Sequence, residues 1–100
     1  MSDVAAAIET LRARFLARSK DDLDALRLWS SAGAAPDDDH HRILHRLAGA
    51  AGTFGFASIS DQAKAVEDLV AAGSPADGPE LRALIEALAQ LTKAGAGGAA

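Results

Sequence analysis

The chain has 100 residues, of which 49% are hydrophobic, and carries a net charge of -4 at pH 7. This length is typical of one domain, and the acidic balance argues against binding to nucleic acid, which depends on clustered lysine and arginine. Because the chain has no cysteine, disulfides, thiolate metal sites and cysteine nucleophiles are excluded.

The first seven residues do not form a basic run that leads into a long apolar stretch. Neither a signal peptide nor a transmembrane helix is therefore expected. We expect a cytoplasmic monomer whose partners are proteins, without contact to a membrane or to nucleic acid. Abundant alanine and few β-branched or aromatic residues favour helix over strand throughout the chain.

Two helices are expected in the first third of the chain. The first runs from Asp3 to Arg18, because apolar residues spaced four, three and four apart form one stripe. That stripe consists of Val4, Ile8, Leu11 and Phe15. Ser19 resembles the N-cap of a second helix, with Asp21 and Asp22 where the helix dipole favours negative charge. Gly33 is expected to end that helix.

Three further helices are expected after Gly33. The third runs from Pro36 to Ala51 and has three aspartates, residues 37–39, in its first turn. A fourth helix ends at Gly73, and a fifth follows the loop from Gly73 to Pro79. The apolar stripes of these two helices consist of Ile59, Ala63, Val66 and Val70, and of Leu81, Leu84, Ile85, Leu88 and Leu91.

Short loops between amphipathic helices indicate antiparallel neighbours. The predicted fold is therefore all-α, an up-and-down four-helix bundle with an additional N-terminal helix. Residues 1–93 would form this domain, and the alanine and glycine residues 94–100 would form a flexible tail.

The third helix carries the candidate reactive residue, His45. At about 100° per residue, the apolar residues of this helix fall within a sector about 100° wide, and His45 lies about 150° from its centre. Those apolar residues are Ile43, Leu44, Leu47 and Ala51. The wheel therefore predicts an exposed imidazole, whereas His40 faces the core side and is expected to be structural.

The outward face beside His45 is predicted to be almost bare, because Ala48, Gly49 and Gly52 lie on it. Each glycine destabilises a helix by about 0.5–1 kcal/mol relative to alanine, so these glycines need a reason. Close approach of a partner explains Gly49 best, whereas Gly52 is also explained by a loosened helix end.

A neutral imidazole keeps a lone pair on one ring nitrogen and can attack phosphorus if the approach is unhindered. A flat surface beside His45 would permit that approach. Arg42 and Arg46 lie on one flank of the same face, where they would steer an anionic phosphoryl group or an acidic partner. As ordinary helix-surface arginines they are about equally well explained.

The segment from His45 to Phe56, HRLAGAAGTFGF, resembles the signature of histidine phosphotransfer (Hpt) domains. Residues 51–56 are especially similar to the phosphoacceptor domain of chemotaxis histidine kinases. The resemblance implies that His45 accepts a phosphoryl group from a receiver-domain aspartate or a sensor histidine kinase and passes it to the receiver of a response regulator. Such a protein is a phosphocarrier without an ATP site, and the Mg²⁺ belongs to the partner receiver.

The resemblance also implies roles for individual residues. Gly49 would lie in the docking surface, Gly55 would form a turn that lets the next helix pack closely, and Glu67 would orient the imidazole of His45. Family members commonly carry a lysine where this chain has Ala48. Lys64, or one of the two arginines beside His45, would then offset the phosphoryl charge.

Three other functions are less well supported by the sequence than phosphotransfer. A metal site would use His41, His45 and the more distant Asp38, which is a thin set of ligands. A binding or inhibitory module would occupy a receiver or kinase without accepting phosphate. This alternative stays open because position 48 is alanine, where family members commonly have lysine. An autonomous phosphotransferase is the least favoured, because the chain has no P-loop, kinase glycine loop or paired acidic Mg²⁺ site.

Overall fold

A computed structural model of the protein describes residues 2–33, 35–73 and 78–98, and these residues form helices without any strand. The helices in chain order are α1 (Ser2–Ala32), α2 (Asp38–Thr53), α3 (Ala57–Ala71) and α4 (Pro79–Gly98). The predicted all-α class is confirmed. None of the helices in the described part of the chain is long and apolar enough to cross a membrane.

The prediction of two helices before Gly33 is wrong, because α1 continues through Ser19 without a break. The Ser19 side chain does not cap a new helix. It is buried, and its hydroxyl donates to the carbonyl of Phe15, one turn earlier in the same helix, at 2.8 Å. A serine whose hydroxyl donates to the carbonyl four residues earlier can lie inside a helix, although serine is more favourable at an N-cap. The described residues therefore form four helices, and the additional N-terminal helix is part of α1.

The part of α1 that precedes Phe15 is not buried in the core. Val4, Ile8 and Leu11 are 67%, 52% and 50% exposed, although the sequence pattern places them on one buried stripe with Phe15. Of this stripe only Phe15 is buried, and its ring stacks on Phe54, at a centroid distance of 5.4 Å, just after α2 ends. The apolar residues that precede Phe15 in α1 are therefore left largely exposed, although Leu11 lines a pocket with Leu47 and Ala50 of α2.

The core lies where all four helices overlap. Its fully buried leucines are Leu26, Leu44, Leu47, Leu84 and Leu88. The apolar stripes predicted for α3 and α4 face this core, with Val70, Ile85 and Leu91 only partly buried at its margin. Gly33 follows α1 and Gly73 follows α3, both with positive φ angles, which is a common way for a helix to end.

α2 begins at Asp38, two residues later than predicted, and Asp37 is its N-cap. The Asp37 carboxylate accepts the backbone N–H of His40 at 3.0 Å, and Nδ1 of His40 accepts the backbone N–H of Asp37 at 3.2 Å. The His40 ring also stacks on Trp29 of α1 at a centroid distance of 4.2 Å. The structural role predicted for His40 is confirmed, and α2 is held to α1 at its first turn.

Two predicted segments fall partly outside the described residues. The structure does not describe residues 74–77 of the loop expected after Gly73 or residues 99–100 of the expected tail. The backbone of α4 is helical to Gly98 and so includes most of the segment that the sequence assigns to the tail.

Candidate functional site

His45 lies in the middle of α2 and points into solvent. Its side chain is 77% exposed, whereas Leu44 and Leu47, on either side of it in sequence, are fully buried. This is the orientation that the wheel predicts, because the apolar residues of α2 turn toward the core and leave position 45 on the outer face.

Glu67 of α3 meets His45 across the α2–α3 interface. Nδ1 of His45 lies 2.8 Å from Oε2 of Glu67, and the Glu67 side chain is only 15% exposed. An ionised carboxylate can only accept hydrogen bonds, so the imidazole donates from Nδ1. A neutral His45 in this tautomer carries its free lone pair on Nε2.

His41 contacts the same carboxylate oxygen, a relationship that was not predicted from the sequence. Its Nε2 lies 3.3 Å from Oε2 of Glu67. The His41 and His45 rings are nearly parallel, with an angle of 10° between their planes and 6.3 Å between their centroids. Their spacing of four residues on α2 was the available signal, but nothing in the sequence linked it to Glu67.

These three residues line an open cleft between α2 and α3 together with Asp38 and Arg42. In the described part of the chain, no group of three or more histidine, aspartate or glutamate side chains has the arrangement of a metal site. The cleft instead offers an imidazole nucleophile, a carboxylate that accepts a hydrogen bond from its Nδ1, and one exposed guanidinium. This set of groups is suited to nucleophilic attack on an electrophile supplied by another molecule.

The three cations expected to offset a phosphoryl charge are not brought together. Arg42 is exposed at the cleft, and its Nη1 lies 3.5 Å from Oδ1 of Asp39. Lys64 is exposed on α3, three residues before Glu67. Arg46 does not line the cleft, because it reaches α1 and donates from Nη2 to Oδ1 of Asp22 at 2.6 Å.

The partner of Arg46 is a buried carboxylate. Burial raises the pKa of Asp22 above the usual range of an aspartate, and the attraction of the Arg46 guanidinium offsets only part of this effect. The pair was not predicted, because the sequence pattern placed Asp22 in the first turn of a separate helix. In the continuous α1, Asp22 instead faces α2.

The small residues beside His45 have different surroundings. Gly49 is exposed, and a Cβ added there would meet nothing within 4 Å, so the surface is open at that position. Gly52 is exposed as well, but its Cβ would lie 3.3 Å from Oγ of Ser60 in α3. The Ser60 hydroxyl donates to the carbonyl of Ala48 at 2.7 Å, and the Ala48 side chain is partly buried against the core.

The predicted outward surface therefore needs correction at Ala48, which packs against the core and is not fully exposed. Gly49 forms the open part of that surface, and Gly52 lies at its edge, where α3 approaches α2. Gly55 has a φ of +84°, and an added Cβ would meet nothing within 4 Å, so it serves the backbone of the turn and not close helix packing. The close approach expected at Gly55 occurs at Gly52.

The chain matches the family model of the Hpt domain over residues 10–94. Comparison with curated proteins gave no match, and comparison with solved structures gave none either. The matched segment includes the whole of α2 and α3, and with them every residue of the cleft. By sequence, and with a helical structure that agrees, this chain belongs to the Hpt domain family.

Proposed function

We propose that the protein carries a phosphoryl group on Nε2 of His45 between partner proteins of a two-component phosphorelay. A receiver-domain aspartate, or a sensor histidine kinase, supplies the group, and the receiver of a response regulator takes it. The hydrogen bond from Nδ1 of His45 to Glu67 is the observation that carries this proposal, because it leaves the Nε2 lone pair free on an exposed ring.

The chemical step uses few groups of this protein. The Nε2 lone pair attacks the phosphorus of an aspartyl phosphate, an N–P bond forms, the P–O bond to the aspartate breaks, and the carboxylate leaves. The ring of His45 then carries a positive charge, which the Glu67 carboxylate stabilises through the Nδ1 proton. The receiver supplies Mg²⁺, and the reverse reaction with a second receiver removes the phosphoryl group.

The open surface at Gly49 gives the partner access to His45, and Arg42 is a cation that lines the same cleft as the reactive ring. Both features support docking of a receiver over the cleft, since an acidic active site needs a flat approach and a compensating charge. We further propose that transfer takes place in the cytoplasm, where such partners act.

The direct test is to incubate the protein with a receiver that carries ³²P on its aspartate. We expect label on the wild type that is lost in acid and stable in base, as phosphohistidine is, and no label on His45→Gln. Arg82→Gln, an exposed substitution on α4, is the matched control and should accept label normally.

Absence of label on the wild type with every receiver of the same genome would overturn the carrier function. Binding of a receiver without labelling would identify the protein as a binding or inhibitory module instead. Label that survives in His45→Gln would show that another residue is the acceptor.

A further inference from the structure

We propose that His41 is a positioning residue for His45 and acts through Glu67. The inference rests on the proposed role of His45 as the phosphoacceptor and adds a residue that its transfer reaction depends on. His41 does not touch the reacting atoms, since its Nε2 contacts the Glu67 carboxylate.

One oxygen of Glu67 serves both imidazoles. Oε2 of Glu67 lies 2.8 Å from Nδ1 of His45 and 3.3 Å from Nε2 of His41. The shorter contact, with His45, has hydrogen-bond geometry, and the longer one brings Nε2 of His41 close to the second lone pair of the same oxygen. Both contacts are attractive when His45 carries a proton on Nδ1 and His41 carries one on Nε2.

The two contacts together restrict the motion of Glu67. Glutamate has a long side chain, and the preference of its last torsion angle is broad, so one contact alone sets the direction of the carboxylate only loosely. His41 and His45 reach it from successive turns of α2, so together they fix the carboxylate from two directions. A second donor therefore keeps Oε2 beside His45 while that residue stays exposed to its partner.

Loss of the second donor weakens the control of the tautomer. If the Glu67 carboxylate turns away, a neutral His45 is no longer held with its proton on Nδ1. A molecule that instead carries the proton on Nε2 has no lone pair at the exposed nitrogen and cannot attack phosphorus there. His41 thus raises the fraction of molecules that are ready to react.

The experiment compares His41→Leu, which removes the donor, with His41→Gln, whose side-chain N–H can still reach a carboxylate. The first readout is the tautomer of His45, measured by ¹H–¹⁵N correlation NMR at a pH where both imidazoles are neutral. We expect mainly the Nδ1–H form in the wild type and in His41→Gln, and a clear shift toward the Nε2–H form in His41→Leu.

The second readout is the rate at which phosphoramidate, a small donor that needs no docking surface, phosphorylates His45. We expect His41→Leu to lower this rate by about tenfold, the low end of the loss seen when an outer partner of a reactive group is removed. His41→Gln should restore most of the rate.

A wild-type tautomer and rate in His41→Leu would overturn the role of His41, and so would a His41→Gln variant that behaves like His41→Leu. The NMR readout does not depend on any phosphoryl transfer. The expected tautomer shift in a protein that no receiver labels would contradict the carrier function and leave the positioning role intact.

Discussion

Ser60 of α3 lies directly against Gly52 of α2, and its Oγ would be 3.3 Å from a Cβ at position 52. The Ser60 hydroxyl is held there by its hydrogen bond to the Ala48 carbonyl. Gly49, one turn before Gly52, has no such neighbour. Two glycines of the same helix therefore have different physical reasons to be glycine, and substitution distinguishes them.

Gly49→Ala is expected to raise the free energy of unfolding by about 0.5–1 kcal/mol, the usual gain of alanine over glycine inside a helix. Gly52→Ala should gain less, because the new methyl group crowds Oγ of Ser60. Adding Ser60→Ala to Gly52→Ala should recover the difference. Urea unfolding of the single and double variants measures each value, and equal effects at the two glycines would contradict this account.

A large side chain at Gly49 should obstruct the partner without damaging the fold. We expect Gly49→Leu to lower the rate of transfer from a phosphorylated receiver by about 100-fold, because displacement of the reacting groups by an ångström has this effect. Labelling by phosphoramidate should not change. Ala83→Leu, at an exposed position of α4, is the matched control, and an equal loss in that variant would exclude a local docking effect.

The charge of Glu67 should matter as well as its hydrogen bond. Glu67→Ala is expected to slow phosphorylation of His45 by about 10–100-fold. Glu67→Gln should be intermediate, since its carbonyl oxygen accepts a hydrogen bond from Nδ1 but has no negative charge to stabilise the positive ring. Rates measured with phosphoramidate should follow the order wild type, glutamine, alanine. A wild-type rate in Glu67→Ala would show that the carboxylate plays no part.

Asp22 should give stability a particular dependence on pH. Burial raises its pKa in the folded protein, so the folded state binds this proton more tightly than the unfolded chain does. The resulting contribution to stability is complete below the unfolded pKa and is lost as the pH rises through the folded pKa.

Relative to Asp22→Asn, the wild type should therefore lose stability as the pH rises through and beyond the usual pKa range of an aspartate. Denaturant unfolding followed by the fluorescence of Trp29, the single tryptophan, measures this difference. A wild type that gains stability over Asp22→Asn across that range would show that the attraction of Arg46 outweighs burial.

Leucines in the two halves of α1 should respond very differently to truncation. Leu26→Ala removes a fully buried side chain and should cost about 2–5 kcal/mol of unfolding free energy. Leu11→Ala removes a half-exposed one and should cost less than about 1 kcal/mol. Thermal or urea unfolding separates the two, and similar losses would contradict the exposed position of the N-terminal part of α1.

The sequence predicted the parts of this molecule that depend on a single helix. The apolar face of α2, and with it the exposure of His45, follows from helical periodicity alone, as do the buried stripes of α3 and α4. The Hpt signature added the family. The predicted helix start at Ser19 was wrong because the local signal is ambiguous. A serine followed by aspartates is typical of a helix start but also occurs within a helix, as it does here.

Relationships between helices were beyond the reach of periodicity. The stripe from Val4 to Phe15 has a helical period, but whether it is covered depends on the lengths of the neighbouring helices. The contact of His41 with Glu67 and the pairing of Arg46 with Asp22 likewise depend on how α2 is aligned with α3 and α1. A pattern within one helix contains no information on that alignment.

Three residues of α1 hold α2 in place. Trp29 contacts the first turn of α2, Asp22 contacts α2 near its middle, and Phe15 makes contact where α2 ends. A helix that is held along its length loses little conformational freedom when another protein binds to it. Binding then joins surfaces that are already ordered, so little further ordering accompanies it. A protein that docks on this preordered helix would lose little of its contact energy to ordering it, and a small interface would then be enough for binding.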